Sequence, residues 1–283
     1  MYSNLPKIGV GLGWRGEIAE ASIRHIAEID WFEIISEHFM DAPADKVENL
    51  CASTQGVPLV PHGVDLSIGT AAVPDLGYCE RIRMLNGRIR APWWSDHLCF
   101  TRVPGYNLGQ LTPLPFSEEM VDLVVTNVKA AIQHVRHPLL LENIAYRFVI
   151  PDGKFAEAEF LSKIFDRADV GMLLDVCNLY INSINHRYDP FQFLSQLPLE
   201  RVIQLHLAGG ELINGKWTDT HSQAVPKEVF ELTEWVLRRA PVRGVLIERD
   251  YNFPTRFNDL IEELAYTRSL FERHQRAVRT QHV

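Results

Sequence analysis

The feature that most constrains the fold of this chain is a regular alternation of short apolar segments with longer stretches of helical periodicity. Eight segments rich in Val, Ile, Leu or aromatic residues recur, at 7–12, 31–36, 57–61, 92–96, 138–142, 170–175, 202–207 and 244–248. Segments that are apolar on both faces are typical of strands in a parallel sheet covered by helices. The eight segments therefore predict eight strands of such a sheet.

Stretches with apolar residues at three- and four-residue steps separate these segments and predict amphipathic helices. They cover residues 17–29, 43–55, 75–90, 118–136, 155–168, 189–197, 226–239 and 256–273. In "LPFSEE", Ser117 precedes two acids, which is typical of a helix start. Eight strands alternating with eight helices predict an α/β fold, in its simplest form a single (β/α)8 TIM barrel.

No linker, charge block or low-complexity segment interrupts the 283 residues, so we expect one domain over 1–283 with a core of about 7–273. A composition of 46% hydrophobic and 23% charged residues is that of a globular protein able to bury a large core. Four cysteines without CxxC spacing predict reduced thiols rather than a disulfide framework: Cys51, Cys79, Cys99 and Cys177.

The net charge and the hydropathy pattern argue against nucleic-acid and membrane partners. The formal net charge of −8 disfavours nucleic acid, since binding to phosphates depends on Lys and Arg. The N-terminal sequence lacks the pattern of a signal peptide, and no apolar run approaches the roughly 18 residues of a membrane span. We therefore expect a cytoplasmic protein with no nucleic-acid or membrane partner.

Polar residues fall at the carboxyl ends of most predicted strands, where TIM barrels build their active sites. They are His62, Asp96, His97, Glu142, Asp175, Asn178, His206 and Glu248, joined by Asp219 and His221 in the loop after the seventh strand. A single strand-end Asp is more often a helix cap, and a single His more often a hydrogen-bonded core residue. Six successive strands ending in ionisable residues are costly to bury unless the groups are paired or bind metal.

The clustering therefore predicts a metal site built from nitrogen and oxygen ligands only. Such a donor set suits zinc, iron or manganese and excludes a thiolate site. In "DTH", Asp219 and His221 lie two residues apart, so that in an extended segment both side chains face one ion. The number of candidates predicts two or three ions, and Glu142 is placed to bridge two of them.

Four further polar residues, together with Asp96, are candidates for orienting the ligands or contacting substrate. Glu33 and Glu37 follow the second predicted strand, and Asp96, Asn143 and Asp250 neighbour predicted ligands. A carboxylate such as Asp96 is expected to hydrogen-bond a ligand imidazole.

At these residues the sequence resembles the multinuclear non-heme iron-dependent oxidases. The resemblance covers roughly residues 7–255 and is carried by "PHGVDLSIGT", "SDHLCF", "LLLENIAYRF", "MLLDVCNLYINS", "QLHLAGG", "DTHSQAVP" and "VLIERDYNFP". It implies a xylose isomerase-like barrel similar to that of endonuclease IV, in which a His stands where this chain has Asn178.

The resemblance also implies a cofactor of two or three irons in mixed Fe(II) and Fe(III) states. One iron would be held by His62, His97 and Glu142. A second would be bridged by Glu142 and held also by Asp175, His206 and Glu248. A third, weaker position would be formed by Asn178, Asp219 and His221.

By the same resemblance, the chain is an oxidase with dioxygen as co-substrate. Its substrate would be a cysteine-containing, ribosomally synthesised precursor peptide in natural-product biosynthesis, and a leader-binding partner protein would form a heterodimer with it. Two alternatives stay open. One is a zinc- or manganese-dependent phosphodiesterase, or a sugar isomerase, on the same barrel. The other is a non-catalytic barrel whose acids and histidines pair with each other.

Overall fold

The computed structural model describes residues 2–151 and 153–280, and within them it has twelve strands. In chain order these are β1 (Gly9–Gly13), β2 (Trp31–Ile35), β3 (Leu59–His62), β4 (Trp94–His97), β5 (Phe100–Val103), β6 (Tyr106–Thr112), β7 (Leu139–Glu142), β8 (Gly171–Asp175), β9 (Val202–Leu207), β10 (Gly209–Ile213), β11 (Lys216–Gln223) and β12 (Gly244–Ile247). The expected domain of residues 1–283 also includes Met1, Asp152 and residues 281–283, which lie outside the described residues.

Eight of the strands close into a parallel barrel in the order β1-β12-β9-β8-β7-β4-β3-β2. Each of the eight predicted strand segments overlaps one barrel strand, so the predicted (β/α)8 barrel is confirmed. Because all eight strands run in one direction, their carboxyl ends meet at a single rim.

Nine helices occur within the described residues: α1 (Ala19–Arg24), α2 (Ala44–Ser53), α3 (Leu76–Ile89), α4 (Glu118–Val135), α5 (Glu157–Arg167), α6 (Val176–His186), α7 (Pro190–Ser195), α8 (Lys227–Leu237) and α9 (Asn258–Thr280). Ser117 caps α4 by accepting from the Met120 amide, as predicted. The sequence did not predict α6. Most of its side chains are buried, so it continues the apolar run of β8 without an amphipathic period of its own.

Two antiparallel hairpins at the rim, β5–β6 and β10–β11, were also not predicted. Asp219 and His221 therefore lie on strand β11 and not in a loop. The available signal was the dipeptide Asn214–Gly215 between β10 and β11, where both residues have positive φ. Asn-Gly is the strongest short-range indication of a hairpin turn.

Apolar residues fill the barrel below the rim. A small cluster of inward-facing side chains, which includes Trp31, Trp93 and Leu246, is closed by Tyr2 and Leu5 from the N-terminal segment. A larger core packs the outer faces of the strands against the helices. Because both cores are apolar, the ionisable groups of the strand ends are confined to the rim.

The four cysteines are free, as predicted, and Cys51 is half-buried while the other three are buried. None of the helices in the described residues has the length and apolar character required to cross a membrane.

Candidate metal centre

Strand register brings the predicted ligands together at the rim. His97 pairs with Glu142 between β4 and β7, and Asp175 pairs with His206 between β8 and β9. Glu248 follows β12, whose Leu246 pairs with His206. All five residues are buried.

The first cluster is a triangle formed by His62, His97 and Glu142. The Nε2 atom of His62 lies 3.2 Å from Oε2 of Glu142 and 3.3 Å from Nε2 of His97. His97 Nε2 lies 3.5 Å from the same Glu142 oxygen. Ligand atoms bonded to one ion at about 2.0–2.2 Å are separated by about 3–3.5 Å. The triangle therefore has the dimensions of a metal site.

Two groups that the sequence did not indicate orient these imidazoles. Ser95 Oγ lies 2.8 Å from Nδ1 of His62, and the Gly63 carbonyl accepts from Nδ1 of His97 at 3.1 Å. A carbonyl acceptor places the proton on Nδ1 and leaves Nε2 of His97 available to an ion. Gly63 is required here, because a Cβ atom at this position would collide with Asp96 and with the Tyr78 hydroxyl.

The expectation that Asp96 hydrogen-bonds a ligand imidazole is wrong. Its carboxylate accepts from the Tyr78 hydroxyl at 2.9 Å, from the Leu66 amide at 3.2 Å and from the backbone amide of His97. Glu37 lies in a 3-10 turn after β2 and accepts from the amides of residues 64 and 65 and from Tyr78. Both carboxylates hold the loop that follows His62, and within the described residues neither is hydrogen-bonded to a ligand side chain.

The second cluster surrounds Nδ1 of His206. This atom lies 3.3 Å from Oε1 of Glu142 and 3.1 Å from Oε2 of Glu248. Asp175 completes a metal-capable group with Glu142 and His206. Because Glu142 directs Oε2 to the first cluster and Oε1 to the second, one carboxylate joins the two positions.

Glu33 lies inside strand β2, whereas the sequence analysis placed it after this strand. Its Oε2 atom is 3.0 Å from Nε2 of His206 and accepts a hydrogen bond from the side-chain amide of Gln204 at 2.7 Å. Gln204 in turn accepts from the indole of Trp93 at 2.7 Å. Glu33 also forms a metal-capable group with His206 and Glu248. The sequence offered no sign of this inward chain, because it depends on contacts between strands.

Asp175 is both a helix cap and a member of the cluster. Its Oδ1 accepts from the Asn178 amide at 2.6 Å and starts α6, whereas Oδ2 is buried without a hydrogen bond. Asn143 fixes the Asp175 backbone by accepting from its amide and donating to its carbonyl. Asn178 donates through Nδ2 to the Asn143 carbonyl at 3.2 Å.

The third cluster lies on the β10–β11 hairpin. Nε2 of His221 is 2.7 Å from Oδ1 of Asp219, and its Nδ1 is 3.0 Å from Asp250 and 3.5 Å from Glu248. His221 has a φ of 48°, a left-handed conformation that is uncommon outside glycine and that recurs at functional sites. A metal-capable group joins His221 to Asp175 and Glu248.

Arg15 is a further residue at the rim that the sequence did not indicate. Its guanidinium contacts Glu248 at 3.2 Å and Asp250 at 2.6 Å. Arg15 follows β1, the one strand for which the sequence offered no polar candidate, and it supplies positive charge to the acidic side of the cluster.

Six buried polar atoms of the cluster make no hydrogen bond of good geometry with any described residue: Glu142 Oε2, Asp175 Oδ2, Asn178 Oδ1, His206 Nδ1, Asp219 Oδ1 and His221 Nε2. Apart from Asp175 Oδ2 and Asn178 Oδ1, these atoms lie at ion-pair distances from neighbouring ligand atoms. Buried polar atoms without hydrogen bonds are rare because they lose their water without compensation. Ligand atoms that surround an ion show this pattern. The residues therefore fit divalent cations.

The pKa shifts of the clustered residues also favour the binding of metal ions. Burial raises the pKa of Glu142, but His206, His97 and His62 outweigh burial and lower it to about 2. The pKa of Asp175 is raised well above its usual range by burial and then by Asp219 and Glu142. Burial lowers the pKa of His206, yet neighbouring carboxylates raise it overall. The raised pKa values favour protons on Asp175 and His206, and metal ions would displace these protons.

The fold and this cluster define a class of protein, the xylose isomerase-like TIM barrels with a metal-capable rim. Endonuclease IV from Thermus thermophilus is similar, with a TM-score of 0.56 and 18% identity over 95% of this chain and 99% of that one. A xylose isomerase domain protein from Planctomyces limnophilus has a TM-score of 0.58 and 13% identity over 98% and 99% of the two chains. At such identities the likeness concerns the fold alone.

Sequence relatives define the family. The family model for "RiPP precursor modification enzyme MbnB/TglH/ChrH", where RiPP denotes a ribosomally synthesised and post-translationally modified peptide, matches residues 9–272. A UPF0276 protein of Caulobacter vibrioides is 36% identical over 265 residues, 93% of this chain and 94% of that protein. Another, from Rhizorhabdus wittichii, is 36% identical over 248 residues, 88% of each. The chain therefore belongs to the RiPP precursor modification enzyme family, and the predicted family membership is confirmed.

Proposed function

We propose that this protein is an iron-dependent oxidase that uses dioxygen to modify cysteine in a RiPP precursor peptide. The observation that carries the proposal is the position of Glu142, whose two carboxylate oxygens face two separate sets of ligand atoms. A carboxylate shared in this way would hold two ions close together, where they would supply the redox chemistry of an oxidation. Family membership supports the peptide substrate.

The donor set supports iron as the metal. Imidazole and carboxylate ligands suit iron, zinc and manganese, and the resemblance to iron-dependent oxidases favours iron among them. Bound iron, in mixed Fe(II) and Fe(III) states, would supply the electron transfer between the substrate thiol and dioxygen.

Nine side chains would hold the metal at three positions. His62, His97 and Glu142 would form the first position. Glu142, Asp175, His206 and Glu248 would form the second. Asn178, Asp219 and His221 would form the third, with Asp250 orienting His221.

The protein's own contribution is positioning. Ser95, Gly63 and Glu33 fix the ring orientations of three histidines through the nitrogen that faces away from the cluster. Rings fixed in this way lose no conformational freedom when an ion binds. The buried rim also excludes bulk water, so each charge in the site interacts more strongly with its neighbours.

Asn178 separates this proposal from the zinc hydrolase alternative. Its amide oxygen is a weaker ligand than the imidazole of endonuclease IV-like enzymes, and Nδ2 is already committed to the Asn143 carbonyl. We therefore expect the third position to bind metal more weakly than the other two.

We further propose that a leader-binding partner forms a heterodimer with this chain and presents the peptide, and that the reaction takes place in the cytoplasm. Both proposals rest on the resemblance to the oxidase family. A cytoplasmic enzyme would keep its four cysteines reduced, in agreement with the absence of disulfides among the described residues.

The decisive experiment is co-expression of this chain with the precursor peptide and partner encoded beside its gene, followed by anaerobic purification. Metal analysis and Mössbauer spectroscopy should find iron, and admission of dioxygen should change the mass of the peptide at a cysteine. Glu142→Gln should abolish the change, and a Cys→Ser precursor should stay unmodified. Zinc alone, without iron-dependent modification, would refute the proposal, and cleavage of abasic DNA by the zinc form would favour the phosphodiesterase.

A further inference from the structure

A cavity of about 390 Å³ lies beside the barrel, between the loop that follows β7, the first turn of α5 and the α6–α7 connection. Its volume is within the range of sites that bind small molecules and single side chains, about 300–1,000 Å³. Aromatic rings form much of the wall, contributed by Phe116, Tyr146, Phe155, Tyr188 and Phe193. Tyr188 and Phe193 stack with centroids 5.2 Å apart.

The aromatic cavity is lined by two carboxylates, the exposed Asp189 and the half-buried Glu157. Oε2 of Glu157 accepts from the Tyr146 hydroxyl at 2.8 Å. Among residues 2–151 and 153–274, no Lys or Arg side chain forms an ion pair with Glu157. The nearest cation on the same helix, Lys163, lies over the Phe155 ring at 4.6 Å and pairs with Glu118. Glu157 is therefore a carboxylate without a counter-charge.

The aromatic cavity disfavours the ionised form of Glu157. Burial raises the pKa of Glu157 to about 7. His186 does not relieve it, because its ring stacks on Tyr146 and its Nε2 contacts the Tyr146 carbonyl. Asp189, also at the cavity, caps α7 and adds negative charge. A cationic ligand would supply the missing charge, and the ring faces would attract it further.

We propose that this cavity binds a lysine or arginine side chain of the precursor peptide, with its cation paired to Glu157 and its stem packed on the rings. The chemistry is complementary, since long basic side chains combine an apolar stem with a charged end. The exposed side chain of Val149 extends the apolar wall, where residues next to the basic one would pack. The proposal rests on the peptide substrate of the family and not on iron or oxidation.

The cavity is linked to the metal centre by the loop after β7. This loop starts at Glu142 and reaches Tyr146, and Asn182 of α6 holds it by accepting from the Tyr146 amide and donating to the Ile144 carbonyl. Asn143 attaches the same loop to Asp175. A basic residue anchored in the cavity would therefore hold the peptide at a fixed distance from the metal centre.

Ligand-observed NMR titration of the purified protein tests this assignment. The probes are three capped tripeptides, Ac-Gly-Lys-Gly-NH2, Ac-Gly-Arg-Gly-NH2 and a norleucine analogue of the lysine peptide that keeps the stem without the charge. We expect the two basic peptides to bind at least fivefold more tightly than the norleucine peptide. Glu157→Gln should remove that preference, since it keeps the shape and the acceptor for Tyr146 but not the charge.

Glu159→Gln is the matched control, because Glu159 is an exposed carboxylate on the same helix and lies outside the cavity. It should keep the preference for basic peptides. Equal binding of lysine and norleucine peptides to the unaltered protein would overturn the assignment, as would an unchanged preference in Glu157→Gln. The probes contain no cysteine and need no turnover, so failure of the oxidase proposal would leave this result interpretable.

Discussion

Oε2 of Glu33 lies 3.0 Å from Nε2 of His206, the ring nitrogen that faces away from Glu142 and Glu248. Nδ1 of the same ring lies within 3.3 Å of Glu142 and Glu248. A carboxylate that accepts from the distal nitrogen keeps the proton there and increases the basicity of the nitrogen that binds metal. Glu33 is thus placed to act on the metal through His206.

Replacing Glu33 with Gln should weaken metal binding at the second position about 10- to 100-fold, because an amide is a poorer acceptor and can favour the wrong tautomer. Metal titration of the apoprotein measures this, with circular dichroism to verify folding. Glu20→Gln, at an exposed carboxylate paired with Arg24, should leave affinity unchanged. Wild-type affinity in Glu33→Gln would show that Glu33 has no such role.

Asn178→His should raise occupancy of the third metal position. An imidazole binds divalent iron or zinc better than an amide oxygen, and Asn178 already presents a buried oxygen without a hydrogen bond. The measurement is metal content per chain after dialysis. Asn178→Ala should leave the third position no better occupied than in wild type, and a metal count unchanged by the histidine would refute the prediction.

Removal of metal should destabilise the fold. The rim brings together Glu142, Asp175 and Glu248. Among the described residues, neighbouring histidines and Arg15 supply the positive charge beside Glu142 and Glu248, whereas burial, Asp219 and Glu142 raise the pKa of Asp175. A chelator should lower the melting temperature by about 5–10 °C, as expected for loss of several kcal/mol of ligand-linked stability. Differential scanning calorimetry before and after metal is restored would show it. Glu142→Gln should respond less to the chelator, and an equal response would argue against Glu142 as a ligand.

Stability should depend on pH through Glu157. Its pKa rises from an ordinary 4.5 to about 7 in the folded protein, so folding favours the protonated form. The stabilising contribution is complete below about pH 4.5 and is lost as pH rises through 7. Glu157→Gln cannot ionise and should gain up to about 2.5 kcal/mol relative to wild type between pH 5 and pH 8.

Urea unfolding of both proteins at the two pH values measures this change in relative stability. Because the carboxylate of Glu159 is exposed, Glu159→Gln should have the same free energy of unfolding as the wild type at both pH values. An equal difference between Glu157→Gln and wild type at pH 5 and pH 8 would show that the Glu157 carboxyl does not titrate abnormally.

Asp96 and Glu37 illustrate where sequence reasoning fails. Both follow the pattern of residues that orient a ligand, yet they hold the loop after His62 by accepting from its amides and from Tyr78. The residues that do orient His62 and His97 are Ser95 and a glycine carbonyl. A backbone acceptor leaves no mark in a sequence.

By itself the sequence determined the barrel and the rim, because strand and helix periods are local and parallel strands must end together. It also placed His62, Glu142 and His206 at strand ends. Only the tertiary structure decided which atoms meet: the division of Glu142 between two clusters, the approach of Glu33 to His206, and the place of His221 on a hairpin. These depend on register and side-chain orientation across strands distant in sequence, which no local pattern encodes.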